Sequence, residues 1–474
     1  MDRRPWCHFR PAGTTVGTLL TVVAVALPVG AHGGSLGAAA RETVTVPMWL
    51  FLLTGGAAVG ASFLLASFVT DRRLIEGLHG WRYAVSVPRP GLLVSAVRFA
   101  GVVGLLVVVI VGYIGPNEGL GNLAVLGVWV GWWAGYTITT YVFGASWHVL
   151  NPWRSLAEWV PSFDRDVPTV GAWPSVVGLL TLVWVEVVSP LADEPSLLAS
   201  VVVGYTILTL AGTVAFGSEA WFTQVDPVAR VFRYYGHVAP VATARTAIGT
   251  NRDDTSARRL SIRMPGVGLM RPDLVSDSSE VAFVVALLWA TTYDGLVATP
   301  AWRTVARPVV EAGVPVHVLY PIVLAAGFAV FFAVFSLAAR FARQTGETYR
   351  STSVLSRRFA PPLLAIAAGY HLAHYLGYFL SLVPVLLTVL GSPLSPPATV
   401  PVFSLPGWFS AVPVASVLVG HLLAIWVAHA TAFELFPGRL QAIKSQYPFV
   451  AVMVLYTMIS LWIIMQPTIK PPFL

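Results

Sequence analysis

Charge is scarce in this chain. Asp, Glu, Lys and Arg make up 11% of its 474 residues, against about 25% in soluble domains. Lysine is nearly missing, with Lys444 and Lys470 set beside a majority of arginines. The single cysteine, Cys7, excludes disulfides and cysteine-based metal centres. No P-loop, His-Glu-x-x-His or Gly-x-Ser-x-Gly pattern occurs, so the familiar signatures of nucleotide, zinc-protease and serine-hydrolase chemistry are lacking. Internal repeats are missing as well, and with them the inverted halves of many transporters. What remains is apolar: 56% hydrophobic residues and a mean hydropathy of +0.73. These residues fall in blocks of about 20, the length that crosses a bilayer core. A soluble enzyme, a disordered chain and a nucleic-acid-binding protein are thereby excluded. The net charge of +7 bears on membrane topology and lipid headgroups instead.

Arg3, Arg4 and Arg10 precede an apolar run over 16–27 that Pro28 breaks, and the small residues Gly30 and Ala31 follow. This pattern predicts a signal peptide over 1–31 and a mature chain over 32–474. The alternative is an uncleaved first helix, and both place residue 32 outside. After cleavage, His32 would carry a free amine beside its imidazole, a chelating pair for copper. Ten later stretches read as spans: 46–69, 92–114, 122–145, 170–189, 196–216, 280–298, 315–339, 359–390, 408–436 and 447–466. The loops then predicted to be cytoplasmic hold 21 Lys and Arg, and the outer segments hold 4. That asymmetry is what the positive-inside rule requires. The expected fold is an all-α, polytopic helical bundle of ten transmembrane helices in the cell membrane, with the mature N-terminus and the C-terminus outside. Residues 217–279 form the one sizeable cytoplasmic loop. Its Arg, Trp, Phe and Tyr content predicts an interfacial helix on anionic headgroups, followed over 241–279 by a small irregular lobe. Five prolines in 391–406 predict a stiff outer cap.

Ionisable groups inside spans are costly, so each is a candidate for function. His371 and His374 lie three apart on one predicted helix, and His421 and His429 lie eight apart on the next. Together they form a possible polar stripe able to hold a transition metal (copper or zinc) or one haem b, with His374 and His421 as its axial pair. Interhelical hydrogen bonding is the plainer alternative. Glu186, Asp294 and His317 make a second group toward the outer face. There a carboxylate is a candidate general base or hard metal ligand. Asp294, in Thr291-Thr292-Tyr293-Asp294-Gly295, interrupts an apolar stretch.

Several short segments carry a resemblance: Ala31-His32-Gly33, Pro47-Met48-Trp49-Leu50-Phe51, Asn151-Pro152-Trp153-Arg154, Glu219-Ala220-Trp221, Thr292-Tyr293-Asp294-Gly295, Ala373-His374-Tyr375, Gly420-His421, Ala428-His429 and Gln446-Tyr447-Pro448. In their order and spacing the chain resembles the fenitrothion hydrolase-like family of bacterial and archaeal multi-pass proteins. The resemblance implies a membrane-bound enzyme that hydrolyses organophosphate triesters. Ala428-His429-Ala430-Thr431 departs from the family's Ala-His-Asp pattern and lacks the carboxylate beside the histidine. Read from its residues, the chain is first a metal- or haem-handling membrane protein built on intramembrane histidines; the resemblance implies next a phosphotriester hydrolase, and a transporter is third. Its expected partners are the lipid bilayer and an apolar small molecule or a metal ion, with no nucleic acid; the residues do not define an oligomeric state.

Overall fold

The computed structural model describes residues 48–87, 91–163, 165, 167, 170–244 and 258–473. The expected signal peptide and His32 lie outside them. In chain order the elements are α1 (Met48–Ser67), α2 (Arg72–Gly80), β1 (Arg82–Val87) and α3 (Gly91–Ile114). Next comes α4, one helical run made of Leu123–Leu126, Gly127–Tyr136 and Thr137–Phe143, whose middle part is π-helical. Then follow α5 (Trp173–Val188), α6 (Pro195–Phe216), α7 (Pro227–Tyr235), β2 (Val241–Ala244), β3 (Arg258–Arg263) and α8 (Ser278–Val297). The chain closes with α9 (Pro300–Glu311), α10 (Val316–Thr345), α11 (Thr352–Phe359), α12 (Pro362–Gly391), α13 (Ala411–Leu435) and α14 (Arg439–Met465).

The architecture is an all-α polytopic bundle. Among the described residues, eight helices are long and apolar enough to cross a membrane: α1, α3, α6, α8, α10, α12, α13 and α14. The two other expected spans are present in altered form. At 16 residues, α5 rises about 24 Å, less than a bilayer core of about 30 Å. The π-helical stretch divides α4. Burial separates a centre from a rim. On α8, Val281 to Ala290 are all buried, whereas α3 exposes Leu92, Phe99, Leu106 and Ile110. Both helices are apolar all round, so α8 is shielded by its neighbours and α3 by lipid. Helices α12 and α13 cross through glycines. A Cβ on Gly369 would stand 2.6 Å from the Ser416 carbonyl oxygen and 2.9 Å from Gly420 Cα. Small residues let two backbones approach this closely.

The five segments predicted to be cytoplasmic meet at one end of the bundle. Arg154 pairs with Glu219 at 2.9 Å, Arg358 with Glu434 at 2.7 Å and Lys444 with Glu347 at 3.9 Å. Arg357 donates to the Ser276 carbonyl at 2.6 Å. Arg72 donates to the carbonyls of Phe433 and Phe436, closing the C-terminal end of α13 with the cation a helix end favours. At the opposite end Lys470 reaches Asp193 at 3.1 Å, and Ile469 N–H donates to the Ala298 carbonyl.

Two expectations for this region change. The lobe over 241–279 is partly regular: β3 pairs antiparallel with both β1 and β2 in a three-stranded sheet of order β1-β3-β2. A second loop supplies the partner strand, which no local pattern announces. The helix expected to lie on headgroups, α7, is packed into the protein, with Arg230, Val231, Phe232, Tyr234 and Tyr235 buried. Arg230 pairs with Glu280 at 2.7 Å and donates to the Thr223 and Gln224 carbonyls. Those carbonyls belong to the π turn Trp221–Val225, where irregular backbone leaves acceptors for a buried guanidinium.

Candidate functional site

Helices α3, α5, α6, α7, α8 and α12 and the π-helical part of α4 line a cavity of about 550 Å³, well within the size range of ligand sites. Most of its wall is apolar. Trp129, Trp132 and Trp133 come from α4, and Leu179, Val183 and Leu287 from α5 and α8. A regular α-helix repeats every 3.6 residues. Trp129, Trp132 and Trp133, three and four residues apart, share one face of this helical run and bring three rings of one five-residue stretch onto the cavity wall.

Polar side chains line the same cavity. Glu186 comes from α5, Thr291 and Asp294 from α8, and Tyr370, His371, His374 and Tyr375 from α12. Spacings of three and four on α12 place its four residues on one face. Tyr375 O–H donates to Asp294 Oδ2 at 3.4 Å. The Nε2 atom of His374 lies 3.6 Å from the same oxygen, outside ordinary hydrogen-bond length but close enough for attraction. Tyr370 stacks on His374, their rings 13° from parallel. Glu186 lines the same cavity as Asp294. Both carboxylates sit near the helix ends opposite the arginine-rich face, four residues before Pro190 and three before Val297.

His371 is 1% exposed and surrounded by rings: Trp133 at 5.5 Å, Tyr141 at 5.8 Å and Tyr375 at 4.6 Å between centroids. Neither of its nitrogens makes a hydrogen bond of normal geometry, although the Trp133 backbone lies beside the ring.

The expected four-histidine stripe is divided. His371 and His374 line the cavity, while His421 and His429 do not. His421 is buried with its Nδ1 against the carbonyl of Val417, one turn back on its own helix, at 2.8 Å. His429 is buried with its Nε2 against the Val69 carbonyl, just beyond α1, at 3.0 Å. Their adjacency in the chain correctly implied that α12 and α13 pack together, but their histidines meet different neighbours. Among the described residues, no group of three or more His, Cys, Asp or Glu side chains is placed to hold a metal ion. The histidines as arranged do not fit an axial pair of His374 and His421. His317 is exposed on α10.

Sequence reasoning singled out Glu186, Asp294, His371 and His374 separately, and the structure brings them together. It missed the tryptophan wall. The run Trp129-Val130-Gly131-Trp132-Trp133 was its one visible signal. No family model, curated protein or solved structure matches the chain.

Proposed function

We propose that this membrane protein binds an apolar small molecule in the cavity between α4, α5, α8 and α12, and holds its polar group at Glu186, Asp294 and His374. One observation carries this reading: a carboxylate–imidazole couple opens onto an otherwise apolar, tryptophan-walled space. Apolar walls with a few convergent polar groups are the usual composition of a small-molecule site. Intramembrane carboxylates facing a cavity rather than lipid mark a path or a binding point. Metal or haem handling by the four histidines draws less support, because His421 and His429 do not line the cavity and each sets one nitrogen against a backbone carbonyl.

A hydrolytic reading is favoured by the Asp294–His374 contact and by the resemblance to the fenitrothion hydrolase-like family. In it, His374 takes the proton of a water that attacks phosphorus, and Asp294 stabilises the resulting imidazolium. The new P–O bond forms as the bond to the aryloxide leaving group breaks. The test uses full-length protein in lipid nanodiscs with a neutral aryl dialkyl phosphotriester. Asp294→Asn and His374→Ala should each lower turnover by about 100-fold while triester binding persists. Turnover unchanged in both variants would remove the couple from the chemistry. Binding without turnover in the wild type would leave a carrier, and no binding would end the cavity reading.

A further inference from the structure

The charge of the cavity narrows what it can hold. Among the described residues, its wall carries two carboxylates, Glu186 and Asp294, and no lysine or arginine. Arginine pairs hold carboxylates elsewhere in this protein, as at Glu280 and Glu434. In the cavity no such partner is present, and Glu186 makes no hydrogen bond or ion pair with another described residue. Asp294 has His374 and the Tyr375 hydroxyl beside it, so at most one imidazole balances two acids. Ionising either acid in an apolar setting is expensive without a positive partner, and a bound cation would supply that partner.

The walls around these acids are suited to the complementary charge. Tyr375 stands against Asp294, and Trp133 lies edge-on to Tyr375 at 6.2 Å between centroids. Aromatic rings next to the acids give the apolar part of an organic cation a surface to pack on. His371, buried on the same wall without a hydrogen bond of normal geometry, adds a neutral polar group that a ligand N–H can meet. A bare metal ion would leave most of the 550 Å³ unfilled and would meet apolar walls. An apolar body bearing one positive charge fits both the space and the acids.

We infer that the ligand of this cavity is a lipophilic organic cation, its charged centre set between Glu186 and Asp294 and its apolar groups against Trp129, Trp132 and Trp133. This rests on the cavity being a small-molecule site. Three probes of related shape separate the two ideas: tetraphenylphosphonium (cation), triphenylphosphine oxide (neutral) and tetraphenylborate (anion). Binding is measured by equilibrium dialysis against full-length protein in zwitterionic nanodiscs, with empty nanodiscs subtracted. The cation should bind at least about tenfold more tightly than either other probe. Glu186→Gln and Asp294→Asn should each reduce that preference, with a wild-type melting temperature and gel-filtration profile showing that the variants are folded. Equal binding of all three probes, or preference for the anion, would overturn the cation inference and leave the cavity reading standing. Binding of none would overturn both.

Discussion

At the residue scale, a histidine in a membrane helix takes its meaning from what its nitrogens meet. His429 ties the end of α1 to α13 through the Val69 carbonyl, and His421 closes on its own helix, while His374 faces a carboxylate on α8. Because His374 faces Asp294 and His421 bonds the Val417 carbonyl, His374→Ala and His421→Ala should lower thermal stability additively, within about 0.5 kcal/mol. A double variant no worse than either single one would mean that they act as a unit on a common ligand. Outside the spans, His237 is the informative titrating group. Burial pushes its pKa below the ordinary 6.5, opposed by its bond to the Arg233 carbonyl and reinforced by Arg271 and Arg263. Its folded value is therefore depressed, so between the folded and unfolded values the unfolded chain binds more protons. The stability it contributes is full above 6.5 and is lost as pH falls through the folded value. Amide exchange at Gly266, whose N–H donates to the Val238 carbonyl, should accelerate beyond the intrinsic change between about pH 7 and about pH 5. In His237→Gln that extra acceleration should vanish.

At the element scale, close backbone contact decides how α12 presents its histidines. With no Cβ at Gly369 or Gly420, α12 and α13 lie against each other, and the opposite face of α12 is left for α4 and α8. Gly369→Ala should cost about 1–3 kcal/mol in thermal unfolding, since its Cβ would meet backbone that cannot turn aside. Gly104→Ala on α3, where nothing lies within 4 Å of the added carbon, should cost nothing. Equal effects would show that the α12–α13 crossing is loosely packed. The tryptophan wall of α4 belongs to this scale too, because spacings of three and four set Trp129, Trp132 and Trp133 on one helix face.

At the scale of the whole molecule, cation bias and tertiary contacts speak to the same arrangement. The segments rich in arginine interlock through Arg154–Glu219, Arg358–Glu434 and the three-stranded sheet. A reporter placed within 241–279 should respond as cytoplasmic and one within 391–406 as external. Both reporters on one side would overturn the arrangement that puts the arginine-rich end of the bundle inside.

Hydropathy alone determined the bundle, because apolar blocks of bilayer length have no other stable setting. It also located Glu186, Asp294, His371 and His374, since a polar group in an apolar run is visible without coordinates. Partnership was not visible. Whether His374 faces His421 or Asp294 depends on the rotation of α12 about its axis, and helices apolar all round carry no periodic signal for that angle. Tertiary packing decided it, through the glycine contact with α13 on one side of α12 and the tryptophan wall of α4 on the other. The sheet was likewise undecidable locally, because β1 and β3 come from loops far apart in the chain and strand pairing is a property of both partners together.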